Sequence, residues 1–164
     1  MPLFYCCMFL LLFFLSGCTI KPTTYSKIDA QFLAATDINK NTKGHPSPVQ
    51  VFIYQISNLD NFSAENPLML MSSIPIKESH DYRRIGEIIL QPGQQKTVAI
   101  PLETGRNTLA FVAAFRDLSS QQWSVIHTID NPQRFFWEIF FRDRLAQPVI
   151  LLQASTLSLS KQGK

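Results

Sequence analysis

The first seventeen residues contain no charged side chain, and all 15 Lys and Arg and all 12 Asp and Glu come later. The α-amino group therefore stands alone in a segment that export signals usually open with Lys or Arg. Cysteine is nearly as scarce: Cys6, Cys7 and Cys18 are the only three. Nothing after residue 18 can form a disulfide, a thiolate metal site or a cysteine nucleophile, so an exported domain built from that part must rely on its apolar core. The six glycines are dispersed, which excludes a phosphate-cradling loop, a GxGxxG fingerprint and a G-x-S-x-G nucleophile turn. The three histidines, His45, His80 and His127, fall at no metal-ligand spacing from one another. Ser79-His80-Asp81 holds the residue types of a hydrolytic triad, but adjacent residues cannot adopt triad geometry among themselves. The net charge of +3 is scattered and leaves no nucleic-acid footprint. These absences point away from enzyme, metal, cofactor, nucleic-acid and small-molecule chemistry.

What is present begins with Leu3–Leu15, an apolar run of about 13 residues. A bilayer-spanning helix needs about 20, whereas a signal-peptide core needs 7–15. The run ends in Leu15-Ser16-Gly17-Cys18. Two small residues let an extended backbone enter a peptidase cleft, and Cys18 then offers a thiol for lipid. The expected organisation is a lipoprotein signal over residues 1–17, a lipid on Cys18, and a polar tether over 18–26 (CTIKPTTYS). Removing 17 residues from 164 leaves 147, the size of one domain.

From residue 27 onward the pattern is one of short strands. KIDAQFLAAT (27–36) places Ile28, Ala30, Phe32 and Ala34 on one face, and VQVFIYQI (49–56) alternates clearly. Between them DINKNTKGHPSP (37–48) carries Gly44, Pro46 and Pro48, which oppose regular structure. At this length it exceeds an ordinary hairpin connection, and such loops are often functional. Residues 57–71 change to helical spacing (Leu59, Phe62, Leu68, Met71), with Asn61 or Ser63 to cap and Pro67 to interrupt, predicting a small helical insertion. Strands are predicted again at Arg84–Leu90, Thr97–Pro101, Thr108–Phe115, Trp123–Ile129, Phe135–Phe141 and Val149–Leu159. Gln91-Pro92-Gly93 reads as a type II turn. The FFWEIFF segment (135–141) is aromatic on both faces, which suits either a buried strand or an exposed contact patch. Seven or eight strands with few helical residues make an all-β chain, an antiparallel β-sandwich over residues 27–164.

Three passages carry a resemblance. Asn41-Thr42-Lys43-Gly44-His45-Pro46-Ser47-Pro48, leading into the strand that ends Tyr54-Gln55-Ile56, resembles the N-x-x-G-x-P-S-P passage of the TssJ family (SciN/VasD), outer-membrane lipoproteins of the type VI secretion system. Ala113-Ala114-Phe115-Arg116-Asp117-Leu118, followed by Trp123, resembles its A-A-[YF]-R-D-L…W passage, and Leu90-Gln91-Pro92-Gly93 its L-x-P-G turn. The resemblance implies a transthyretin-like sandwich, anchored in the outer membrane by the lipid on Cys18 and facing the periplasm. Thr19, rather than Asp, after the lipidated cysteine agrees with outer-membrane sorting in Gram-negative lipoproteins. It further implies that the protein docks the periplasmic C-terminal region of TssM through the loop joining the first two strands. The candidate contact residues are Asn39, Asn41, Lys43, Gly44, His45, Pro46 and Pro48. A pilot lipoprotein for a secretin of another secretion system is the alternative.

Overall fold

The computed structural model describes residues 27–72, 79–102, 106–119, 122–129, 148–153 and 155–160. The signal segment, Cys18, the tether and the Phe135–Phe141 strand lie outside these residues. Among the described residues, eight strands form two four-stranded sheets: β1 (Lys27–Ala34), β2 (Val49–Ile56), β3 (Tyr82–Leu90), β4 (Gln95–Pro101), β5 (Thr108–Ala113), β6 (Ser124–Thr128), β7 (Val149–Gln153) and β8 (Thr156–Leu159). One sheet runs β4-β1-β7-β8 and the other β3-β2-β5-β6. This is the expected sandwich, with two differences. Val149–Leu159 is not one strand but two, folded back antiparallel so that Gln153 opposes Thr156. No Gly, Pro or Asn marks that reversal in the sequence. The β1–β7 pair is also parallel, while every other pairing is antiparallel. Parallel neighbours require a long crossover, and here more than a hundred residues intervene between the partners.

The inner faces of both sheets supply the main core. Ile28, Ala30, Phe32 and Ala34 of β1 are buried against Val49, Val51 and Ile53 of β2 and against Leu109 and Phe111 of β5. Phe32 and Phe111 meet edge-to-face across the sheets, with centroids 5.6 Å apart at 77°. Removing a ring from such a pair costs a cavity as well as lost transfer energy.

A second cluster lies on the outer face of the β3-β2-β5-β6 sheet. Phe52, Tyr54 and Ile56 alternate outward along β2 and, with Tyr82, Ala110 and Val112, are covered by Phe62 and Leu70. Those two residues belong to short helices α1 (Leu59–Ser63) and α2 (Pro67–Leu70), the predicted insertion. Asn58 caps α1 by accepting from the Asn61 N–H, and Asn66 caps α2 by accepting from the Leu68 N–H, with Pro67 in the first turn.

The β2–β3 register slips at one place: Ile53 opposes Gly86, but Tyr54 opposes Arg84. Ile85 is thus an extra residue, and a one-residue bulge reverses which face each later side chain takes. Ile85 packs on the inner core, while Arg84 and Tyr82 turn outward beneath the helices. The Arg84 guanidinium stacks 4.4 Å from the Phe52 ring centroid. It also donates to Tyr54 Oη at 3.1 and 2.9 Å and to the carbonyls of Leu70 and Ser72, tying the insertion to the sheet.

Tyr82 donates to the Glu65 carboxylate at 2.6 Å. Burial and then this bond push its phenol from 10.0 up to about 12. Tyr54 is raised as well, by burial, although Arg84 opposes the rise. A folded-state pKa above the unfolded one means that the native state holds the proton more tightly. The resulting stabilisation is complete below pH 10 and is lost between pH 10 and about 12. Urea midpoints are expected to fall across that window, and Tyr82→Phe to flatten the fall. An equal fall in the variant would assign the loss to other groups.

A rigid loop at one pole of the sandwich

β1 delivers the chain to one pole of the sandwich and β2 carries it back. The register defines that pole. Leu33 opposes Gln95, Val49 opposes Leu90, and a short turn joins Leu90 to Gln95. Lys27 opposite Pro101 and Ile56 opposite Tyr82 mark the other pole. The eight residues of β1 therefore separate the point where the tether enters from the loop by about 26 Å, at roughly 3.3 Å per residue.

The loop is a finger pinned along its length. At its base Ile38 is fully buried in the core, and Ser47 N–H donates to the Ile38 carbonyl at 3.1 Å. Nearer the tip, Asn41 N–H donates to the His45 carbonyl at 2.9 Å, and Gly44 N–H donates to the Asn41 carbonyl at 2.8 Å. That last bond closes a β-turn whose final residue, Gly44, sits at φ 79, where an L side chain is strained. The Asn41 side chain accepts from the Lys43 and His45 N–H groups at 2.9 and 3.0 Å, fixing the same turn from within.

Asn39 has a different place from the other candidate residues. Only 6% exposed, it adopts φ 48 and uses both ends of its amide. Its Nδ2 donates to the Pro48 carbonyl at 2.6 Å, and its Oδ1 accepts from Arg116 N–H at 2.9 Å. Asn39 thus shapes the finger, whereas Lys43, Gly44, His45, Pro46 and Pro48 are exposed and Asn41 is half-buried. Lys40 pairs with Asp37 at 3.2 Å on the surface of the same finger.

The three passages that carry the resemblance meet around this base. Arg116 N–H reaches Asn39, and Ala114 N–H donates to the Gln50 carbonyl at 2.8 Å. From the third passage, Gly93 N–H donates to Ala35 O at 3.0 Å, and the neighbouring Gln94 carbonyl accepts from Ala34 N–H at 2.9 Å. Gly93 has φ 75, as the type II turn predicts, and a Cβ there would lie 3.3 Å from the Thr36 methyl. Sequence reading missed Asn39 as a clamp and Ala114 and Arg116 as its backbone supports. Asn, a residue tolerant of left-handed φ, was the one available signal.

Other candidates stay apart from the finger. Ser79 accepts from Asp81 N–H, and Asp81 accepts from the Asn61 amide at 2.9 Å beside α1. Both serve the insertion at the far pole. Among the described residues no three metal-ligating side chains gather, and no helix is long and apolar enough to cross a membrane.

A family profile described as "Type VI secretion lipoprotein, VasD, EvfM, TssJ" matches residues 26–152. The fold is similar to that of the T6SS lipoprotein TssJ1 from Pseudomonas aeruginosa, at a TM-score of 0.69 and 19% identity over 86% of this chain and 99% of that one. It is similar also to Serratia marcescens Lip, a membrane-bound component of the type VI secretion system (TM-score 0.69, 17% identity, 85% of this chain and 100% of that one). A chain in a structure described as the T6SS protein TssM C-terminal domain (869–1107) from EAEC matches at a TM-score of 0.61 and 22% identity, over 84% of this chain and 100% of that one. Comparison with curated proteins yields no match. With the profile spanning most of its length and the sandwich matching the solved lipoproteins, the chain belongs to the type VI secretion lipoprotein family, TssJ.

Proposed function

We propose that this protein is a non-enzymatic linker. In this reading a lipid on Cys18 anchors it to the outer membrane, and the 38–48 finger holds the periplasmic C-terminal region of TssM. The observation that carries the reading is the bipolar layout. The strand that begins at Lys27 ends at a loop already fixed by its own hydrogen bonds, at the opposite pole from where that strand begins. A loop ordered before binding loses little conformational freedom when it binds, and that saving appears directly as affinity.

Two neighbours support the choice of partner. One is the chain matched in the structure described for TssM 869–1107. It is covered completely by 84% of this chain. The other belongs to a structure described as a type VI membrane complex.

The test is a titration of the domain with the TssM periplasmic C-terminal region from the same bacterium and, separately, with the periplasmic part of a secretin. Saturable binding to TssM alone is expected. Binding to the secretin alone would establish the pilot-lipoprotein alternative.

A further inference from the structure

Four large apolar side chains are strongly exposed among the described residues, and three of them sit on the helical insertion: Leu59 at 44%, Leu68 at 67% and Met69 at 52%. The insertion turns Phe62 and Leu70 onto the outer face of the β3-β2-β5-β6 sheet, and these three remain exposed above it. It is rooted at the pole opposite the finger. It follows directly after Ile56, and Asp81, just before β3, accepts from the Ser57 and Asn58 N–H groups at 2.6 and 3.0 Å. Lys27, where the chain arrives from the tether, lies at that same pole.

The tether limits how far this pole stands from a lipid on residue 18. Nine residues reach at most about 32 Å when fully extended. A flexible chain of that length averages only about 15–18 Å. We infer that the outer side of α1–α2 rests on the lipid surface to which residue 18 is anchored, holding that end of the sandwich down and keeping the finger end away from it. This rests on the anchoring reading. The exposed Asp60 beside Leu59 disfavours an anionic surface, and three side chains are few. The contact is therefore one that tethering makes, because the second binding event becomes intramolecular at high effective concentration.

The test places the photo-crosslinking residue p-benzoylphenylalanine at Leu59, Leu68, Lys43 or Ile89, one site at a time. The last two probe the finger and an apolar residue exposed elsewhere. Each variant is examined in the cell envelope as the full chain. Each is also examined on zwitterionic phosphatidylethanolamine–phosphatidylcholine vesicles, as the chain from Cys18 with a maleimide lipid coupled to that cysteine. Lipid adducts are expected at positions 59 and 68, about tenfold above those at 43 and 89. Leu68→Glu with Met69→Glu should abolish the adduct at 59 while leaving the melting temperature unchanged. Equal adducts at 43 and 68 would mean a freely tumbling domain and overturn the inference. So would an adduct to a second copy of the chain, or none at all on vesicles. Absence of lipid on Cys18 in cells would remove the anchoring reading alone, since the vesicle arm supplies its own anchor.

Discussion

Replacing Cys18 by serine is expected to leave a folded domain that fractionates with soluble periplasmic protein and supports no type VI secretion. On the anchoring reading Cys18 is the cysteine that carries the lipid, because Cys6 and Cys7 precede it in the expected signal segment. A lipoprotein's acyl chains contribute about 0.8 kcal/mol per buried CH₂, and one chain alone gives only marginal, reversible binding. Losing all of them leaves the apolar face of α1–α2, which is too small to hold an untethered domain. The core contains no cysteine, so the melting temperature should match the parent within error. Fractionation, palmitate labelling and a secretion assay decide it. A Cys18→Ser protein that remained in the outer membrane and secreted normally would show that the anchor lies elsewhere.

Asn39→Ala should be the most damaging single change in the finger, destabilising the domain by about 3 kcal/mol. The substitution removes the donor to the Pro48 carbonyl and the acceptor for Arg116 N–H, both at a site that is 6% exposed. The two backbone groups left unpaired belong to exposed Pro48 and Arg116 and can turn to water, so each lost bond costs about 0.5–1.5 kcal/mol. The left-handed backbone at φ 48 adds roughly 1–2 kcal/mol for alanine, which Asn tolerates better. Asn39→Gly relieves the second cost but not the first, and should fall about midway. Urea unfolding of the three proteins separates the two contributions. If alanine and glycine were equally harmful, the backbone contribution would be absent; if neither mattered, the clamp would carry no energetic weight in solution. If the proposed docking to TssM holds, both variants should also weaken it, although residues 41–46 are untouched, because the finger loses its support at Arg116, beyond the end of β5.

Which parts of this fold were legible depended on how local their causes are. β2 was readable to the residue, since VQVFIYQI is a run of β-branched and aromatic residues bounded by Pro48 and Ser57. The insertion was readable from its change of period, but its caps are Asn58 and Asn66 rather than Asn61 or Ser63, and Pro67 opens the second helix. The Ile85 bulge was not, because RIGEIIL reads as a continuous strand and only pairing with β2 shows the slip. Sequence alternation also left open why both faces of β2 are apolar. The answer is tertiary: one face fills the sandwich and the other lies under α1–α2. The same holds for the parallel β1–β7 pair, whose partners are distant in sequence. In the finger, Gly44 and the prolines announced a turn. The division of labour between buried Asn39 and the exposed tip depends instead on Arg116, 77 residues away.

The central claim is that the exposed tip of a pre-shaped finger carries the partner contact. Its most direct test is the affinity of the TssM periplasmic C-terminal region for the domain carrying Lys43→Glu and His45→Ala. Both side chains are exposed, and neither side chain takes part in the Asn41 turn, which uses their backbone N–H groups. The account predicts an unchanged melting temperature and a Kd raised at least about tenfold, the size of a modest contact loss of about 1.4 kcal/mol. Parental affinity in a variant that remains folded would contradict it and move the contact off the finger.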